Sequence, residues 1–160
     1  MKVTVIYGTD NGNTQNAALQ IASQLGGKVF DITSVAISDF EDCDLLILGT
    51  PTYGFGDLQG DWDVHLNLLK EVSLSGKKVA LFGLGDQASY SDSFVDALGL
   101  LYDAVTEEGA TVVGATSTNG YEFNESRAVR NGQFVGLVLD EDNQPTESEQ
   151  RIASWVAQLS

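Results

Sequence analysis

The 160-residue chain reads as an α/β protein, a three-layer sandwich on a five-stranded parallel sheet. Short runs rich in Val, Ile and Leu alternate with segments of helical periodicity, as in successive βαβ units. Several of these runs are continuously apolar, the pattern of strands covered on both faces. The length suits a single domain, residues 1–160, and the 42% hydrophobic content suffices for a sizeable core.

Lys2–Tyr7 is the first strand. Thr14–Leu25 follows as a helix, with Ala17, Ala18, Ile21, Ala22 and Leu25 on one face, and Gly26-Gly27 stops it. Lys28–Asp31 and Asp44–Thr50 are the second and third strands, and Val64–Val72 is a helix with Leu66, Leu69 and Val72 on one side. Lys78–Leu84 is the fourth strand and Ser93–Glu108 a helix carrying Phe94, Ala97, Leu98, Leu101 and Val105. Thr111–Thr116 starts a fifth strand, the polar segment Asn119–Gln133 reads as loop, and Phe134–Leu139 resumes the strand. The last helix opens at Thr146, where Thr-Glu-Ser-Glu fits a capping box with Glu149, and turns Ile152, Trp155, Val156 and Leu159 inward.

Charge removes several functions. Eight Lys and Arg stand against 23 Asp and Glu, a net charge of −15. Such a chain repels phosphate backbones and anionic lipid heads, so neither nucleic acid nor a membrane is an expected partner. It favours cationic protein surfaces, with encounter rates that fall as salt rises. One cysteine, Cys43, forms no internal disulfide, and one histidine, His65, with no Cys/His cluster argues against a metal site. The apolar run at the N-terminus breaks at Gly8, too soon for a signal peptide, and no stretch nears a membrane span. The expectation is a soluble cytoplasmic protein.

Open parallel sheets bind ligands beyond the C-terminal strand ends, where the strand order reverses. Three loops lie there. Gly8-Thr9-Asp10-Asn11-Gly12-Asn13-Thr14 sets hydroxyls, amides and a flexible glycine at a helix start. This is an anion cradle without Lys or Arg, or else an ordinary Asn/Gly turn. The missing lysine excludes a nucleoside-triphosphatase loop. Thr50-Pro51-Thr52-Tyr53-Gly54-Phe55 places two aromatics after a buried strand, suited to stacking on a flat ring or to covering the core edge. Gly83-Leu84-Gly85-Asp86-Gln87-Ala88-Ser89-Tyr90 matches Gly-x-Gly-x-x-Ala, but Asp86 stands where a pyrophosphate would sit. Asp103 downstream lies within a helix, so the dinucleotide reading is set aside.

In order and spacing Thr9–Thr14, Thr50–Gly54, Gly60-Asp61-Trp62-Asp63, Leu81–Gln87 and Phe134–Asp142 resemble the flavodoxins, over nearly the whole chain. The resemblance implies strand order 2-1-3-4-5, a fifth strand interrupted by the insertion of the long-chain subgroup, and non-covalently bound FMN. By that resemblance Thr9, Asp10, Asn11, Gly12, Asn13 and Thr14 hold the phosphate. Tyr53, within Thr50, Pro51, Thr52, Tyr53 and Gly54, and Tyr90 flank the isoalloxazine ring, and the backbone around Leu84, Gly85 and Asp86 meets its pyrimidine edge. Asp142 lies near the ribityl chain. Asn11 stands where many members have Thr, and Tyr53 where many have Trp.

The function so implied is a low-potential one-electron carrier with no catalytic residue, not an enzyme. Its implied partners are a ferredoxin/flavodoxin-NADP reductase type donor and a low-potential acceptor such as nitrogenase reductase, with the carrier a monomer. A peptide next to Gly54 can turn towards the ring on reduction, since glycine tolerates positive φ. Asp57, Asp61, Asp63, Asp86, Asp92 and Asp96 form an acidic surround, without nearby Lys or Arg, that disfavours full reduction. The competing function is an FMN-dependent NAD(P)H:quinone reductase, which needs a nicotinamide pocket. A phosphorylated receiver of similar topology is excluded, because Thr50-Pro51-Thr52 carries no acid. His65 reads as a residue on the exposed side of a helix with no role, Cys43, Trp62 and Trp155 as structural, and Arg127 and Arg130 as solvated.

Overall fold

The computed structural model describes residues 1–53 and 56–160, and for Tyr53 the main chain alone. Three strands open the sheet: β1 (Val3–Tyr7), β2 (Lys28–Asp31) and β3 (Leu45–Tyr53). β5 (Lys78–Leu84) and β10 (Leu137–Leu139) complete the order β2-β1-β3-β5-β10, all parallel. A short β4 (Asp57–Leu58) folds back antiparallel on β3. The expected order 2-1-3-4-5 is thus present, and the reversal point lies between β1 and β3.

Alternation along the strands divides the core. Val3, Val5, Leu45, Ile47, Ala80 and Phe82 face α1 (Asn13–Leu25) and α5 (Ser148–Leu159). Ile6, Leu46, Leu48, Val79 and Leu81 face the opposite layer, with Phe40, Trp62 and Leu98. Those three belong to α2 (Ile37–Glu41), α3 (Gly60–His65) and α4 (Asp96–Glu107). Both tryptophans are structural, as expected: Trp155 donates its ring N–H to Gly114 O at 2.8 Å and Trp62 to Gly49 O at 2.8 Å.

The fifth strand is split. β6 (Thr111–Val113) pairs with the first half of β5, and β10 pairs with the second. Thr116 and Phe134, expected within that strand, instead join a small antiparallel sheet. It comprises β7 (Thr116–Ser117), β8 (Val129–Arg130) and β9 (Gln133–Phe134). The inserted lobe therefore has a sheet of its own, with β8 and Gln133 in the segment read as loop, and it is packed by Phe94, Tyr121, Phe123 and Phe134 rings with centroids 5.1–6.1 Å apart.

Three helical expectations need correction. Val64–Val72 is not one α-helix: α3 ends at His65 and a 3₁₀ turn runs Leu66–Lys70. The triplet spacing of Leu66, Leu69 and Val72 matches three residues per turn. α4 starts at Asp96, because Val95 takes φ 47°. A β-branched residue resists that conformation, and burial of Phe94 and Val95 offsets the strain. The Thr146/Glu149 capping box does not form. Pro145–Glu147 is a 3₁₀ turn, α5 begins at Ser148, and the Ser148 hydroxyl bonds the Glu141 carboxylate.

Candidate functional site

The C-terminal strand ends lie level: Tyr7 pairs with Gly49, Pro51 with Leu84, and Leu84 with Leu139. The loops leaving them meet in one cleft beside the reversal point. Asn11, Asn13 and Thr14 line one end, Pro51 and Thr52 the middle, and Leu84, Gly85, Asp86 and Tyr90 the far side. Glu141 and Asp142 close it. With its mouth and the adjoining open solvent included the cleft spans about 590 Å³.

The first loop is shaped by its own side chains. Thr9 Oγ1 accepts the Gly12 N–H at 3.0 Å and Asn11 Oδ1 accepts the Asn13 N–H at 3.1 Å. Gly12, the residue before α1, takes φ 91°, a conformation that glycine adopts without strain. It brings no capping side chain, and the first turn of α1 holds no acid. Those features leave the positive end of the helix dipole open to an anion. Thr14 is fully buried, and its Oγ1 has no hydrogen-bond partner.

Behind this loop stands Gln59, also fully buried. Its Nε2 donates to Asp10 Oδ1 at 2.9 Å and to Asp61 Oδ2 at 2.8 Å, while Oε1 accepts the Trp62 N–H at 3.1 Å. A Cβ on Gly8 would lie 2.3 Å from Gln59 Oε1 and 2.7 Å from Trp62 Cδ1, so only glycine permits this approach. Thr9, Asp10, Gly12 and Thr50 are not among the lining residues. The Thr50 hydroxyl is buried and donates to Pro51 O at 2.9 Å.

The far side is held by long-range bonds. Asp86 Oδ1 accepts the N–H groups of Ala88 and Ser89 at 3.1 and 2.9 Å, and the Asn143 amide at 2.8 Å. Burial works against ionisation of Asp86, but the N–H of Ser89 and the Asn143 amide outweigh it and hold the carboxyl below its usual range. Asp142 moves the other way: burial, then the charges of Asp86, Asp140 and Glu141, push it up. No Lys or Arg is among the lining residues.

Ten of the sequence-predicted residues line the cleft: Asn11, Asn13, Thr14, Pro51, Thr52, Leu84, Gly85, Asp86, Tyr90 and Asp142. The ring of Tyr53, with Gly54 and Phe55, lies outside the described residues. Sequence reasoning missed Glu141, Gln59 and Asp140. Two charge expectations are revised. Asp96 is buried and paired, its Oδ1 accepting the Arg127 N–H at 2.7 Å and its Oδ2 lying 3.8 Å from Arg127 Nε. Nor is Arg130 free in solvent, since it bonds both oxygens of Asp103 at 3.0 and 3.3 Å. His65 is half-buried rather than exposed, with Nδ1 2.7 Å from Asp61 O.

The same arrangement recurs in known proteins. A family profile described as Flavodoxin matches residues 5–155. The flavodoxin of Synechococcus elongatus is 47% identical over 162 residues, covering 99% of this chain and 95% of the relative. Flavodoxin 1 of Escherichia coli is 44% identical over 160 residues, covering 98% and 91%. Among solved structures, Fusobacterium nucleatum flavodoxin bound to flavin mononucleotide superposes with a TM-score of 0.93 at 36% identity, covering 99% of this chain and 96% of that one. With this breadth of agreement in sequence, strand order and loop placement, the chain belongs to the flavodoxin family.

Proposed function

We propose that the cleft binds FMN and that the protein is a low-potential one-electron carrier. The observation that carries the reading is the buried, unpartnered Thr14 hydroxyl at the uncapped start of α1. A buried hydroxyl without a partner is costly, and a phosphate oxygen supplies the acceptor it lacks. The donor set fits that group: hydroxyl, amides and main-chain N–H groups, with no side-chain cation to neutralise it. The Fusobacterium nucleatum relative, solved with flavin mononucleotide, supports the same reading.

Bound FMN supplies a ring that accepts and releases single electrons. Asn11, Asn13 and Thr14 hold the phosphate, with Thr9 and Gly12 shaping the loop and Asp10 tied back by Gln59. Tyr90, 39% exposed and lining the cleft, would cover one face of the ring, and Tyr53 would take the other, an assignment that comes from the sequence. Asp86, Glu141 and Asp142 oppose the build-up of negative charge beside them, which lowers the potential of full reduction. The same acids favour a cationic docking face. A ferredoxin/flavodoxin-NADP reductase type donor and a low-potential acceptor such as nitrogenase reductase suit this charge. The carrier is taken to act as a monomer. No helix among the described residues is long and apolar enough to cross a membrane. The lone Cys43 thiol suits a reducing compartment such as the cytoplasm.

An anaerobic potentiometric titration of the FMN-loaded protein tests this. Two separated one-electron steps are expected, the second at the lower potential. A single two-electron step with steady NADPH oxidation by the protein alone would point instead to a quinone reductase, and no FMN uptake would overturn the cofactor assignment.

A further inference from the structure

The loop carrying Asp86 and Tyr90 hangs on a buried acid at the end of β10. Asp140 is fully buried. Its Oδ2 accepts the main-chain and side-chain N–H of Gln87 at 3.0 and 2.8 Å. Its Oδ1 accepts the N–H groups of Asp142 and Asn143 at 3.1 and 3.0 Å, and the Asn143 amide reaches both oxygens at 3.1 and 2.9 Å. A carboxylate offers about four acceptor sites, and here all are engaged.

Bonds continue from this point in two directions. Towards the cleft, the Asn143 amide donates to Asp86 Oδ1 at 2.8 Å. Towards the inserted lobe, Gln87 Oε1 accepts the Glu122 N–H at 2.6 Å. Gln87 Nε2 also donates to Gln144 Oε1 at 3.0 Å, and Gln144 Nε2 donates to Gly120 O at 2.8 Å. The inserted lobe is therefore joined to a cleft-lining carboxylate through one buried acid.

We propose that Asp140 is a positioning residue that couples the inserted lobe to the flavin-edge loop and so sets how tightly, and at what potentials, the cleft holds FMN. This rests on the FMN reading above. Only a charged acceptor can take this set of donors; an amide in its place would turn N–H groups against N–H groups.

The test is Asp140→Asn beside Trp155→Phe, which removes a buried hydrogen bond from the other layer of the sandwich. Asp140→Asn is expected to weaken FMN binding about tenfold or more and to change the separation of the two one-electron potentials. In the apoprotein the N–H groups of Gln87, Asp142, Asn143 and Glu122 should exchange about tenfold faster or more. Trp155→Phe should lower stability and leave all three readouts in place. If Asp140→Asn does not fold, Gln87→Ala cuts the same link and should show the same changes in smaller degree. Wild-type affinity, potential separation and exchange in Asp140→Asn, or equal changes in Trp155→Phe, would overturn the proposal. Should the wild-type protein take up no FMN, the cofactor reading alone fails, and apoprotein exchange still decides the role of Asp140.

Discussion

At the α1 end of the cleft the turn of the loop is shaped by near neighbours in sequence, although Asp10 is tied back by Gln59, 49 residues away. Thr9 shapes Gly12 three residues on, Asn11 shapes Asn13 two residues on, and the Thr14 hydroxyl is left without a partner. At the β10 end the bonds span the chain, with Gln87 and Asp140 53 residues apart and Asp86 and Asn143 57 apart. The carboxylate at their centre has its acceptor sites filled by the protein. The difference separates two ways of making a site. One end keeps a donor in reserve, which favours a ligand that can satisfy it; the other is complete within the protein and works by holding its shape.

The strongest way to break the comparison is to disturb the support of the α1 end. Gly8→Ala would drive a methyl into Gln59 Oε1 and Trp62 Cδ1. A loss of about 2–3 kcal/mol is expected, as for other overpacked sites. Urea denaturation of the apoprotein checks it, and unchanged stability would mean that the Gln59 support shifts freely. A gentler change is Asn11→Ala, which removes the acceptor of the Asn13 N–H. The apoprotein should lose about 0.5–1 kcal/mol. FMN affinity, read by flavin fluorescence quenching, should fall several-fold, because Asn11 lines the phosphate end of the cleft and is assigned to the phosphate.

The smallest effect belongs to Asp142. Its carboxyl is pushed up in the folded protein by burial and by Asp86, Asp140 and Glu141. The folded state thus keeps the proton longer than the unfolded chain does. The contribution of this group to stability is fully present below the unfolded value, about 3.9, and is lost as pH rises through the raised folded value. Asp142→Asn removes that loss. Because the group is exposed and screened, a gain of only a few tenths of a kcal/mol is expected in the apoprotein at neutral pH. The gain should vanish below the unfolded value; an equal gain at both pH values would assign it to something other than charge.

The same contrast explains what could be read from the sequence. The strands and the three ligand loops were legible because βα alternation and Gly/Asn/Thr chemistry are local signals. Thr14 could be placed at a helix start for that reason, although its burial could not. The roles of Gln59 and Asp140 are not legible because they depend on residues far away: neither an amide before a tryptophan nor an acid after a strand shows in sequence what it will bond. The Thr146 capping box failed for a related reason, since Ser148 instead bonds Glu141 seven residues earlier. Arg127 is solvated as expected, but the fold brings Asp96 to it and pairs Arg130 with Asp103.

The most direct test of the account compares FMN with riboflavin, which lacks the phosphate, on wild-type apoprotein and on Thr14→Val. The variant keeps the shape of the side chain and removes its unpartnered hydroxyl. FMN affinity should fall about tenfold or more, as on losing a hydrogen bond to a charged group. Riboflavin affinity and apoprotein stability should hold or improve. Equal weakening of both ligands, or FMN binding that ignores the substitution, would contradict a phosphate held at the start of α1.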